Sequence, residues 1–277
     1  MIRIIVIVAL VFFSLISFSQ NDSPKPEVDK FYSSVGGEYI FSFVNPNTNI
    51  ETTNLRFSAW FHLQAHWHYD FAKYMGAFVG LGMRNIGYTT SPKSDNIYLK
   101  GFTVYNNNTQ KYELNNTNNN TDYLTTVKRR AYTIGIPIGL KIGNMAKNRF
   151  VFFGGEIEFP FHYKNKGWVN NKKVEKSSWW FSDQVNPYLL STFVGIQFPG
   201  GINLKFKWYL NDFMNRDYST TEVYNDILGE HTVQVKPYEN VKSQMFYISF
   251  GVNMFNAKRA LKEIQTLDKS KKKSYNL

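Results

Sequence analysis

The residues of this chain best placed to do chemistry are a pair of carboxylates, Glu156 and Glu158, and a set of imidazoles, His62, His66 and His68. Two carboxylates can divide general acid and base work when their environments pull their proton affinities apart. Two residues apart on a strand, they share one face about 7 Å from each other, and basic strands in the same sheet make structural ion pairing the simpler reading. The three histidines are all even-numbered, on one strand face with Trp60, Gln64 and Asp70. Neutral imidazoles two apart could supply two metal ligands; the simpler reading makes them polar lumen or periplasmic-end residues. His162 and His231 raise an outer-rim hydrolase or transferase, which needs a Ser or Asp beside the His. Neither sits in such a context, and no G-x-S-x-G elbow occurs. The absence of cysteine excludes thiol nucleophiles, disulfides and thiolate metal sites. The sequence therefore assigns no catalytic, cofactor-binding or metal residue, and the expectation is a protein that is not an enzyme.

What must position these residues is a two-residue periodicity, the signature of strands. Over 202–210, Ile202, Leu204, Phe206, Trp208 and Leu210 share one face, with Asn203, Lys205, Lys207 and Tyr209 on the other. The stretch 245–255 repeats this, with Phe246, Ile248, Phe250, Val252 and Met254 against Tyr247, Ser249, Gly251 and Asn253. In 132–142, Tyr132, Ile134, Ile136, Ile138, Leu140 and Ile142 oppose Thr133, Gly135, Pro137, Gly139 and Lys141. Weaker segments at 32–43, 55–71, 75–89, 150–163 and 188–198 bring the count to eight, an even number that permits antiparallel closure. On this register Glu38, Arg56, Asp70, Arg84, Lys141, Glu156, Glu158, Lys205 and Lys207 face a common interior. Both signs are present, which predicts a salt-bridged plug. An eight-stranded interior is only wide enough for side chains to fill, so a solute pore is not expected.

The links alternate in length. Tight turns at 72–74, 144–148 and 199–201 intervene between long links at 44–54, 90–126, 164–187 and 211–242. A transmembrane barrel with short periplasmic turns, long outer loops and both termini in the periplasm requires this order; a soluble β-sandwich shares the strand count without the asymmetry. Composition agrees: aromatics are 17% of residues while mean hydropathy is -0.36, which suits half-apolar strands rather than a bundle of apolar helices. Residues 1–19 read as a signal peptide, with Arg3 before an apolar core over 4–16 and a small-x-small site at Ser17, Phe18 and Ser19. The expected organisation is signal peptide 1–19, periplasmic leader 20–30, barrel 31–255 and tail 256–277.

With export signal, eight alternating strands, alternating links and the stretch RRAYTIGIPIGLKIGN over 129–144, the chain resembles the OmpA/OmpX-like, porin-type outer-membrane β-barrel family. The resemblance implies an all-β, eight-stranded antiparallel transmembrane β-barrel in a Gram-negative outer membrane, and brings no functional residues with it. Family members often end on an aromatic residue that closes the last strand; Phe255 fits that role, yet 256–277 follows it.

The formal charge is +11, and its placement matters more than its size. The tail carries Lys258, Arg259, Lys262, Lys269, Lys271, Lys272 and Lys273 against Glu263 and Asp268, with Ala257, Ala260, Leu261, Ile264 and Leu267 at helical spacing. A basic amphipathic helix can hold anionic lipid or a periplasmic or envelope protein partner; a frayed, soluble terminus is the other reading. Outer-membrane lipid is the other expected contact; nucleic acid is not, since an exported chain would not meet it. Trp168, Trp179, Trp180 and Phe181 flank the third long link and read as an interfacial girdle rather than a ligand platform. The Asn- and Thr-rich stretch 106–122 reads as a surface loop. The functional expectation is a structural or interaction barrel presenting surface loops. The rivals are a component of a secretion or assembly complex, a lipid-modifying enzyme and a narrow pore.

Overall fold

Within a bilayer every backbone N–H and C=O must be satisfied inside the protein, so a sheet that crosses must close on itself. In the computed structural model of the chain this happens through eight antiparallel strands: β1 (Phe31–Asn45), β2 (Leu63–Ala72), β3 (Met75–Pro92), β4 (Thr126–Asn144), β5 (Arg149–Val169), β6 (Leu189–Gln197), β7 (Ile202–Asp212) and β8 (Gln244–Phe255). Each pairs with its neighbours in sequence, and β8 returns to β1 in a register running from Ser34 opposite Phe255 to Asn45 opposite Gln244. The structure describes residues 30–45, 51–59, 62–92, 103–106, 111–114, 126–169, 172–226, 229–239 and 241–255. The expected signal peptide and the basic tail lie outside them, as does Trp60.

Short turns at 73–74, 145–148 and 198–201 gather at one end of the barrel and the long links at the other, as the alternation predicts. The long links are less loop-like than their composition suggests. Segments Thr103–Asn106 and Lys111–Leu114 pair with each other, as do Thr220–Asp226 and Gly229–Val235. The expected third link, 164–187, is mostly strand: β5 runs on to Val169, and Lys172–Trp180 pairs back along it. Strands β4 and β5 reach 19 and 21 residues, where about 9–11 suffice to cross a membrane, so this side of the wall stands well above the bilayer.

The second wall strand is also broken. Arg56–Ser58 pairs with β1 at Ser42 to Ile40, whereas β2 begins at Leu63 opposite Gly37. The interruption adds two residues to one side, and an even insertion preserves which face each side chain takes. Arg56, Ser58, His62, Gln64, His66, His68 and Asp70 are therefore all buried in the interior.

Outside, the wall is apolar. Ile134, Ile136, Ile138 and Leu140 on β4, Leu190 and Val194 on β6, Ile202, Phe206 and Trp208 on β7, and Ile248, Phe250 and Val252 on β8 all lie exposed. From Tyr132 to Ile142 the outward series spans ten residue steps, about 33 Å of strand, or about 25 Å of height at barrel tilt, the thickness of a lipid-facing belt. Among the described residues no helix is long and apolar enough to cross a membrane.

Candidate functional site: the filled lumen and the outer rim

All nine charged residues assigned to the interior by alternation lie buried there, and the structure shows how they are organised. At mid-height, Arg84 from β3 donates Nε to Glu38 Oε1 at 2.7 Å and Nη1 to both Glu156 and Glu158, the latter at 3.2 Å. Lys207 reaches the same two carboxylates from β7, at 2.8 Å to Glu156 Oε2 and 2.7 Å to Glu158 Oε1. Lys205 stands 2.7 Å from Glu38 Oε2. Ser249 donates to Glu38 Oε2 and Tyr209 to Glu158 Oε2, each at 2.7 Å. Three carboxylates meet three cations, and every carboxylate oxygen has a donor. Glu156 and Glu158 come together as the sequence predicts, but held this way they are structural ion partners with no oxygen left open to a substrate.

Toward the short-turn end, Lys141 Nζ bonds Asp70 Oδ1 at 2.5 Å and Tyr32 Oη at 2.9 Å. Beside this pair Phe78, Phe150, Phe152 and Phe193 cluster across the bore. Room for the rings comes from inward glycines: a Cβ on Gly139 would sit 2.6 Å from Phe78 Cε1. The space left among these rings, His66, Gln64 and the hub is a cavity of about 30 Å³, enough for one or two waters.

The three histidines of the second strand share this lumen but do not converge. His62 Nε2 lies 2.8 Å from Ser58 Oγ, His68 Nε2 lies 2.8 Å from Ser34 Oγ, and His66 meets Phe78 edge-on at 5.3 Å. Among the described residues no three His, Asp or Glu gather as metal ligands would. His162 faces outward, stacked between Tyr132 at 5.6 Å and Trp180 at 4.5 Å. The side chain of His231 lies outside the described residues.

The outward turn of His162 has a local cause. Between Tyr132 opposite His162 and Thr133 opposite Pro160 the β4–β5 register gains one residue. Proline cannot donate to the ladder and is tolerated at such a bulge. One extra residue reverses the faces: Glu156 and Glu158 point inward below it, and Tyr163 and Asn165 point inward above it.

At the outer mouth the lumen is capped by residues that alternation could not place. Val185, Phe213, Met214, Tyr238 and Val241, all from links, pack on Ile40, Val44, Ile86, Tyr88 and Tyr163 of the wall in one buried apolar cluster, with Trp179 and Tyr218 against it. Backbone bonds fix the cap: Asn186 N donates to Phe213 O at 3.1 Å and Phe213 N to Ser243 O at 3.1 Å. Tyr238 donates its hydroxyl to Gln184 Oε1 at 2.9 Å, and burial pushes its phenol up to about 12. Beneath the cap Arg129 donates to Tyr88 Oη at 3.2 Å, and Arg56 Nη2 to Asn85 Oδ1 at 2.8 Å. Of the four aromatics flanking the third link, Trp180 and Phe181 are exposed, while Trp179 turns inward onto Tyr163 at 5.7 Å.

A closed ring of eight strands, lipid-facing outside and filled inside, with short turns at one end and long links at the other, is a transmembrane β-barrel of the outer-membrane type. This is the architecture implied by the resemblance to the OmpA/OmpX-like family, and a closed barrel with a lipid-facing belt is a protein of an outer membrane. No family model matches the chain, and no curated protein does. Solved structures that align with it include Neisserial surface protein A, at 9% identity over 82% of this chain and 97% of that one with a TM-score of 0.31. The outer membrane protein OprG from Pseudomonas aeruginosa aligns at 10% identity over 81% and 96%, with a TM-score of 0.33. A major outer membrane protein from Thermus thermophilus aligns at 12% over 80% and 99%, also with a TM-score of 0.33. The class rests on the wall and its faces rather than on these likenesses.

Proposed function

We propose that the protein is a non-conducting interaction barrel that works at its outer end. The observation that carries this reading is the filling of the lumen at three heights: a Lys141–Asp70 pair with four phenylalanines, a six-residue charged hub and an apolar cap. With side chains from opposite walls bonded across the bore at the hub, the reading assigns the role in the membrane to the surface hairpins and the raised β4–β5 wall. The test replaces 220–235 by a two-residue turn and follows two readouts, heat-modifiable mobility for the barrel and photo-crosslinking on intact cells for surface contacts. Retained mobility with loss of surface adducts supports the reading; retained mobility with unchanged adducts would refute it. The basic segment 256–277 offers a second contact toward the periplasm, and equal co-purification with and without it would remove that contact.

A further inference from the structure

Above the aromatic layer formed by Tyr132, His162 and Trp180, the lipid-facing side of the raised wall changes from apolar to basic. The β4–β5 register sets Lys128 opposite Lys166 and Arg130 opposite Lys164, and the next pairing sets Lys166 opposite Lys176. Like charges directly opposite in a sheet repel and are destabilising unless something neutralises them. Among the described residues none of these five cations has a carboxylate partner, and over 126–132 and 162–180 the sequence holds one acidic residue, Glu175.

The cations are also poorly satisfied by the protein. Arg130 Nε is buried without a hydrogen-bond partner. Its guanidinium carbon lies 6.0 Å from the centre of the Tyr132 ring, and Lys164 Nζ lies 5.2 Å from the same centre, so both gather at one aromatic ring. These groups stand above the belt, and burial, followed by repulsion from Arg130, lowers the proton affinity of Lys164 and Lys166. An anion among them would relieve both.

Position chooses the anion. Aromatic side chains of membrane proteins settle at the boundary of acyl chains and headgroups. Arg130 and Lys164 come two residues further along their strands than Tyr132 and His162, about 7 Å, which is the level of headgroup phosphates, on a wall surface that faces lipid. We propose that Arg130 and Lys164, flanked by Lys128 and Lys166, form a site for the phosphate of an anionic glycolipid headgroup in the outer leaflet. Arginine supplies a planar fork for two phosphate oxygens and lysine a point charge, while the acyl chains lie along Ile134, Ile136 and Phe159 below.

The test uses the full-length barrel in neutral detergent, with bis-phosphorylated lipid A and its phosphatase-treated form as probes, and retention read by native mass spectrometry. Wild type is expected to retain the phosphorylated probe at least about tenfold better than R130Q/K164Q, and no better than R130K/K164R by more than about threefold. The turn variant K147Q, at the opposite end, should behave as wild type. Heat-modifiable mobility confirms that each variant is folded. Equal retention by wild type and R130Q/K164Q, or equal retention of the two probes by wild type, would overturn the site. Displacement of the lipid by inorganic phosphate alone at matching concentration would overturn its assignment to lipid.

Discussion

Lys207 Nζ lies 2.7 Å from Glu158 Oε1, with both side chains fully buried at the middle of the barrel. The contact joins two strands, β5 and β7, that are not neighbours in the wall, so it crosses the bore. With Arg84, which ties β3 to β1 and β5, it forms a strut across the lumen.

Removing one member of a buried, saturated ion network leaves the others unpaired, a loss of about 3–5 kcal/mol. Arg84→Ala should lower stability by this amount, read from urea unfolding in phosphatidylcholine vesicles. Arg84→Lys should recover part of it, because one ammonium cannot serve Glu38 and the β5 pair together. A change below about 0.5 kcal/mol for Arg84→Ala would mean that the hub is not formed in the membrane.

The lipid belt predicts a position dependence. Ile138 is 65% exposed at the centre of the outward series, and a lysine at the bilayer midplane costs about 2–4 kcal/mol. Ile138→Lys should therefore destabilise strongly in vesicles, whereas Lys128→Ile, above the belt, should change stability by under about 0.5 kcal/mol. Equal effects at the two positions would contradict the placement of the belt.

The cap predicts a local phenotype. Phe213→Ala empties a fully buried site and should cost about 3–5 kcal/mol. Hydrogen exchange should rise first at 213–214 and 241–243, with the hub protected. Uniform exchange along every strand would show that the cap is not a separate layer.

Tyr238 gives that cap a pH limit. Its phenol titrates near 12 in the fold against 10.0 ordinarily, so folding favours the neutral form. A group whose affinity for protons is raised by folding contributes fully below its unfolded value and loses that contribution as pH rises toward the folded one. The cap should hold to about pH 10 and loosen between about 10 and 12. Tyr238→Phe should remove this alkaline step at a cost of about 1 kcal/mol for the bond to Gln184. An unchanged step in the variant would assign it elsewhere.

Sequence alternation located the nine charged lumen residues because period two is a local property: once a strand is recognised, each side chain's face follows. It also placed His62, His66 and His68 correctly across the break near residue 60, since the two added residues keep parity. The one-residue bulge beside Pro160 is different, because it turns His162 toward lipid and Tyr163 inward. A proline inside an otherwise apolar strand was the available signal. The cap was not legible: Phe213, Met214 and Tyr238 sit in links whose composition reads as surface, and their burial depends on where distant strands hold the mouth. Likewise only the register sets Lys128 and Arg130 against Lys166 and Lys164, because strand pairing is not a local property of the sequence.

Electrical recording in planar bilayers reads whether the barrel is closed along its axis. The wild-type protein, inserted in either orientation across a range of salt and voltage, is predicted to be silent. Stable, reproducible conductance steps from a fully folded sample would contradict the filled lumen and the function proposed from it.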